Sequence, residues 1–307
     1  MLKTILIVTL MVLDPFGAAD AYRDELNYQV IERGRLDPAL AASWGAPAVA
    51  GRDYALLQAA SAEPVFLRFI DAAGAAPPAM MRTSGWNAVE ILAADPEALA
   101  KQLADSDAFR ILDPPRWLTP KQNIKAMQVQ GPSGELLYFT QIRSAASSGF
   151  GLQPGKTFVD RVFIMVVGGG ELNALRSFYA ATFNMPVSDP LAYRIGVLSR
   201  AWQLPEETLH QLALVKLSDR FLLELDQYPE GLTRRPVAAG DLPPGIAMVS
   251  FEVPALPEDP WALRATPRAV GGYPYGGRRS AVMTGPAGEF IELIETPPPY
   301  VRTEAAP

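Results

Sequence analysis

Gly285-Pro286-Ala287-Gly288-Glu289-Phe290-Ile291-Glu292-Leu293-Ile294-Glu295 is a Gly-Pro-x-Gly turn feeding a strand with an inward carboxylate. Gly131-Pro132-Ser133-Gly134-Glu135-Leu136-Leu137-Tyr138-Phe139 echoes it in the first half of the chain. Two more strands, 220–227 (RFLLELDQ) and 64–71 (PVFLRFID), fall where the same element would close two further units. Internal repetition of this kind makes the chain a series of four related modules.

Outward from these closing strands, each module reads in the order βαβββ. Module one has strands at 4–12, 29–33, 54–59 and 65–70 and a helix at 17–26 with Tyr22 on its inner face. Module two has a strand at 88–92, a helix at 96–104 and a closing strand at 135–142, its middle strand pair being weakly marked. Module three has strands at 161–167, 193–198, 209–217 and 221–226, a Gly168-Gly169-Gly170 turn and a helix at 171–183. Module four has a strand at 247–253, a helix near 260–266, Val282-Met283 and a strand at 290–294, and the tail 297–307 reads as disordered or loosely docked. The Ser/Gly/Ala-rich stretch 144–155 marks the boundary between an N-terminal pair of modules, 1–150, and a C-terminal pair, 151–307.

The expected fold class is α+β, with four βαβββ modules paired into two open, cup-shaped mixed-sheet barrels. Period-two alternation sends one residue set into each cup and the other against the helices. The cup is then the natural ligand site, and the C-terminal one is the expected cavity.

Composition excludes several chemistries. The 307 residues, 49% hydrophobic and 20% charged, supply ample core for a globular protein. A net charge of -6 argues against a phosphate-backbone partner, so no nucleic acid is expected. With no cysteine, there are no disulfides, thiolate nucleophiles or iron-sulfur ligands, and a reducing, cytoplasmic location is expected. His210 is the single histidine, so a site needing two imidazoles is impossible within one chain. The apolar run 4–13 is too short to span a bilayer and reads as a buried first strand, with an export signal as the alternative. No membrane partner is expected, and a homodimer stays open.

The segment 14–28 (DPFGAADAYRDELNY), its counterpart 177–185 (SFYAATFNM) and the closing strand 285–295 together resemble the vicinal oxygen chelate superfamily, which includes glyoxalase I, bleomycin-resistance proteins and extradiol dioxygenases. The resemblance covers most of the chain, and four modules are most similar to the extradiol dioxygenase arrangement. It implies a metal held between strands, yet the implied ligand positions carry Arg161, Met248 (or Ala247) and Glu292 in the second half, and Ile7, Arg68, Asn87 (or Ala88) and Tyr138 in the first. A guanidinium cannot coordinate and a thioether suits hard divalent ions poorly. No cofactor is therefore expected, a metal site built from carboxylates and His210 being the alternative.

If that alignment holds, Arg161, Glu224 and Glu292 project into the second cavity. Opposed carboxylates raise one pKa while an arginine holds the other ionised, which suits a general base and an anion clamp. The expectation is a metal-independent lyase or isomerase acting by proton transfer on a hydrophobic, aromatic small molecule, with Glu292 or Glu224 as base. The competing reading makes Arg161 a buried ion pair with Glu292. His210 reads either as a proton shuttle or as a solvated strand-edge residue beside Glu206 and Glu207. The loop 271–279 offers Tyr273, Tyr275 and Arg278 to a ligand, with Met248 and Tyr138 on the cavity walls. Gly168-Gly169-Gly170 lacks phosphate-loop spacing, so nucleotide binding is not expected. A non-catalytic sequestering protein and a divergent metal-dependent dioxygenase remain as alternative functions.

Overall fold

The computed structural model describes residues 1–147, 150–259 and 262–296. The tail 297–307 and part of the helix expected at 260–266 lie outside the described residues.

Module one contains β1 (Ile5–Val12), α1 (Pro15–Leu26), β2 (Gln29–Arg35), α2 (Pro38–Ser43), a 3-10 turn (Pro47–Val49), β3 (Asp53–Gln58) and β4 (Phe66–Asp71). Module two contains β5 (Gly85–Ala93), α3 (Pro96–Gln102), β6 (Arg110–Trp117), β7 (Ile124–Gln130) and β8 (Leu136–Ile142). Module three contains β9 (Val159–Gly169), α4 (Leu172–Phe183), β10 (Leu191–Arg194), α5 (Gly196–Ala201), β11 (Leu209–Lys216) and β12 (Leu222–Gln227). Module four contains β13 (Gly245–Val253), β14 (Arg268–Ala269), β15 (Arg279–Thr284) and β16 (Phe290–Glu295).

Local chemistry starts these elements where it should. Three helices begin at Asp-Pro. Asp14, Asp37 and Asp95 each accept hydrogen bonds from two backbone N–H groups of the first turn, and the proline behind each needs no donor there. The run 4–13 is indeed strand: β1 is buried along its whole length and lies mid-sheet.

Two eight-stranded mixed sheets result, in the orders β14-β15-β16-β13-β1-β4-β3-β2 and β10-β11-β12-β9-β5-β8-β7-β6. The pairing differs from the one expected of sequence neighbours. Module one joins module four through antiparallel β1 and β13, and module two joins module three through antiparallel β5 and β9. Each sheet thus draws on both halves of the chain. We call them the outer cup (modules one and four) and the inner cup (modules two and three).

Three local expectations also change. Gly168 and Gly169 belong to β9 rather than to a turn. A Cβ on Gly168 would sit 2.4 Å from the Tyr228 ring, so glycine is there for close approach. Gly168→Ala is expected to destabilise the protein by about 1–3 kcal/mol, read as a lower denaturant midpoint. The strand expected at 193–198 ends at Arg194 and becomes α5. In module four, 262–266 holds no α-helix, and Leu263 instead bridges Met283.

One apolar core runs through both sheets. It takes Val8 and Leu10 of β1, Val89 and Ile91 of β5, Met165 and Val167 of β9 and Val249 and Phe251 of β13, with Tyr22 of α1 and Tyr179 of α4. The repeated turn closes this core. Tyr22 donates to Glu135 at 2.8 Å and Tyr179 donates to Glu289 at 3.2 Å, so each odd-numbered module's helix is tied to the next module's Gly-Pro-x-Gly-Glu turn. Gly134 and Gly288 have φ of 84° and 82°, the left-handed region that such turns require. Burial raises both carboxyls, Glu289 to about 7, and the tyrosine hydroxyls partly offset this. The sequence echo is therefore a device that locks modules together.

Candidate functional site

Strand registers locate the equivalent central positions of the four modules. On the closing strands they are Arg68, Tyr138, Glu224 and Glu292; on the opening strands their partners are Thr9, Glu90, Val166 and Ser250. The closing-strand positions match the sequence reading, whereas the opening-strand positions do not. Arg161 lies five residues before Val166, and Met248 pairs with Phe290 rather than with Glu292.

In the outer cup, the α2 excursion of module one folds back and fills the centre. Trp44 is fully buried against Met11, Ile70, Met248, Val282 and Phe290. Its Nε1 donates to Glu292 Oε1 at 2.8 Å. Ser280 donates to the same oxygen at 2.6 Å, Ser250 donates to Oε2, and Tyr275 OH lies 3.0 and 3.1 Å from the two. Four donors therefore saturate a carboxylate that is fully enclosed. Tyr275 in turn accepts from Arg68 Nη1 at 3.1 Å, linking the two charged groups through one hydroxyl. Glu292 is held here as a structural anion with no free lone pair for a general base.

Beside this plug remains a cavity of about 450 Å³, lined by Tyr54, Leu56, Arg68, Val270, Tyr273 and Tyr275 among others. The glycine-rich loop thus does border a cavity. Arg278 does not line it: its guanidinium pairs with Glu252 at 2.6 Å and donates to the carbonyls of Pro274 and Tyr275, which fixes the loop.

The inner cup has a different character. Glu90 of β5 and Glu224 of β12 line a cavity of about 70 Å³ with Tyr138, Gln128, Arg116 and Arg194. Glu90 accepts from Thr140 at 3.3 Å. Burial pushes the Glu90 carboxyl up to about 8, with the nearby Glu224 adding to it. Burial also pushes the Glu224 carboxyl up to about 7. Asp226, two residues along β12 and fully enclosed, is raised well above the carboxylate range by burial and then by Glu224. The inner cup therefore carries acids poised to exchange protons near neutral pH.

The structure does not bring Arg161, Glu224 and Glu292 together: Glu224 lies in the inner cup and Glu292 in the outer. Arg161 is buried near the start of β9, with Asp160 at 3.9 Å and the Phe221 ring at 5.4 Å. Burial and then the neighbouring Arg220 lower its pKa. The expected Arg161–Glu292 ion pair is absent among the described residues; Tyr275 bridges Arg68 to Glu292 instead. His210 is buried rather than solvated, with Ser199 Oγ 2.8 Å from Nε2, and burial lowers its pKa. It lines neither cavity. Of the expected ligand-binding residues, Tyr273 and Tyr275 line the outer cavity, Tyr138 lines the inner one, and Met248 is core.

Glu90, Asp226 and Trp44 were not legible as site residues. For the acids a signal existed. Glu90 interrupts the apolar run Ala88-Val89-Glu90-Ile91-Leu92, and Glu224 and Asp226 share a strand face at i, i+2.

The central positions of the outer cup do not fit a chelated divalent ion. The outer cup places a guanidinium at one of the four central positions and a saturated carboxylate at another. The inner cup offers two carboxylates, a phenol and apolar Val166, and among the described residues no group of three or more His, Asp or Glu is arranged to hold a metal.

No family model matches the chain, and no curated protein matches it. Solved structures do. Glyoxalase I from Zea mays superposes with a TM-score of 0.63 at 15% identity, covering 95% of this chain and 92% of that one. A point mutant of the same Zea mays enzyme gives 0.63 at 14%, covering 95% and 94%. The chain shares the fold of these glyoxalase I structures. A provisional dioxygenase from Bacillus subtilis shares it with a TM-score of 0.59 at 9% identity, covering 97% and 86%. At these identities the likeness is one of fold. Among the described residues, no helix is long and apolar enough to cross a membrane.

Proposed function

We propose that the protein is an enzyme acting on a small molecule by metal-independent proton transfer in the inner cup, as an isomerase or lyase. The observation that carries the proposal is the pair Glu90 and Glu224, which sit on an opening and a closing strand of one cup with carboxyls raised to about 8 and about 7. Between about pH 7 and 8 such a pair holds about one proton between them, so one member accepts a proton while the other donates, the condition general acid–base catalysis needs. Arg116 and Arg194 at the lining supply positive charge for the enolate or other oxyanion that proton abstraction generates. Tyr138, whose hydroxyl burial keeps protonated, adds a hydrogen-bond donor. A cavity of about 70 Å³ calls for a small substrate.

The test is proton exchange. In deuterated buffer, small enolisable carbonyl compounds are expected to lose their acidic C–H signal in the NMR spectrum when the wild type is present. Glu224→Gln is expected to slow that loss about 10²–10⁴-fold, the usual contribution of a general base. Equal exchange with wild type and with both Glu90→Gln and Glu224→Gln would refute the reading.

A further inference from the structure

We infer that the outer cup holds a second ligand site, one that takes a small carboxylate carried on an aromatic body and has no part in the proton chemistry proposed for the inner cup. The central observation is Arg68. It is 2% exposed, lines the cavity of about 450 Å³, and makes one side-chain hydrogen bond, from Nη1 to Tyr275. Its Nε is buried without any partner. No ion pair reaches it among the described residues, and Glu292 is connected to it only through the Tyr275 hydroxyl. A guanidinium carries five N–H donors, and a buried charge left short of acceptors is costly unless an anion completes it.

The surroundings select the rest of the ligand. The guanidinium carbon lies 5.2 Å from the Trp44 ring centre and 5.4 Å from that of Tyr275, so it is fixed in place by two aromatic faces. The walls facing that charge are the rings of Tyr54 and Tyr273 and the side chains of Leu40, Leu56 and Val270, which suit a flat apolar body. Three other charged groups share the lining: Asp37 caps α2, Arg35 faces Asp53 at 3.7 Å, and Glu32 lies beside the Tyr54 hydroxyl. Tyr273 is 55% exposed, stands edge-on to Phe66 at 5.2 Å, and forms the rim with Gly271 and Gly272. The volume falls in the range of ordinary small-ligand cavities.

The experiment compares benzoate with benzamide, which have one shape and differ in charge. Benzoate is expected to raise the melting temperature and to bind at least about tenfold more tightly than benzamide, the least that a charge-assisted pair contributes. Arg68→Met is expected to abolish that difference. Because loss of a buried arginine can unfold the cup, the wild type carries an independent readout: in protein labelled with ¹⁵N-arginine, the Arg68 Nε–H resonance moves on adding benzoate and stays put with benzamide. Equal responses to the two compounds, a benzoate response that leaves the Arg68 resonance unmoved, or inorganic phosphate binding in place of benzoate would each overturn the inference.

Discussion

Trp44→Ala is expected to destabilise the protein by about 3–5 kcal/mol, the range seen when a large buried aromatic is truncated. Trp44 is fully enclosed, so the substitution leaves a void among Met11, Ile70, Met248 and Phe290 as well as removing contacts. It also takes one of four donors from a buried carboxylate, Glu292, and one aromatic face from Arg68. Trp44→Phe separates the two effects. It keeps most of the apolar volume but not the indole N–H, and the expected loss is about 1–3 kcal/mol, that of leaving a buried polar group one partner short. Denaturant unfolding of the three proteins checks this. An alanine variant as stable as the wild type would mean that the outer cup is not plugged as described.

The second large effect is on stability as a function of pH. Glu90 and Glu224 have folded-state values raised above the ordinary carboxylate value of 4.5. Between about pH 4.5 and 8 the folded protein therefore binds more protons than the unfolded chain, so stability falls as pH rises through that window and levels off above it. A tenfold change in proton affinity corresponds to about 1.4 kcal/mol, so the two raised carboxyls together impose a loss on the order of 6 kcal/mol between pH 5 and 9. Glu90→Gln, an isostere of the protonated acid, removes the larger share. It is expected to match the wild type near pH 5 and to exceed it in unfolding free energy near pH 9. Parallel pH profiles for the two proteins would show that Glu90 ionises as an ordinary carboxylate. A stability gained by deleting a charged group is what an acid retained for chemistry rather than for folding should show.

Local and repeated features of the chain were readable because they depend on near neighbours. The helices after Asp14-Pro15 and Asp95-Pro96, the buried β1 run and the two Gly-Pro-x-Gly-Glu turns each carry their own backbone or capping chemistry, whereas α2, after Asp37-Pro38, was missed. Weakly apolar strands were not readable: β6 contains Asp113-Pro114-Pro115-Arg116 and pairs only with β7, across two register shifts. The closing-strand positions of the site were legible for the same reason as the turns, since each follows its turn at a fixed distance. Their opening-strand partners were misplaced by two or more residues because parallel register is set across the sheet rather than along the chain.

The order of modules, the cup-facing positions of Arg68, Glu224 and Glu292, and the absence of a second imidazole are properties of the amino-acid sequence alone. Which modules share a cup was decided only by tertiary structure, because β1 can pair along the edge of any equivalent strand and the choice of β13 over β5 depends on how all four modules bury the common core. That choice put Glu224 beside Glu90 and Glu292 beneath Trp44. Two similar carboxylates consequently met opposite environments, one short of donors and raised into the neutral range, the other saturated by four donors and removed from chemistry.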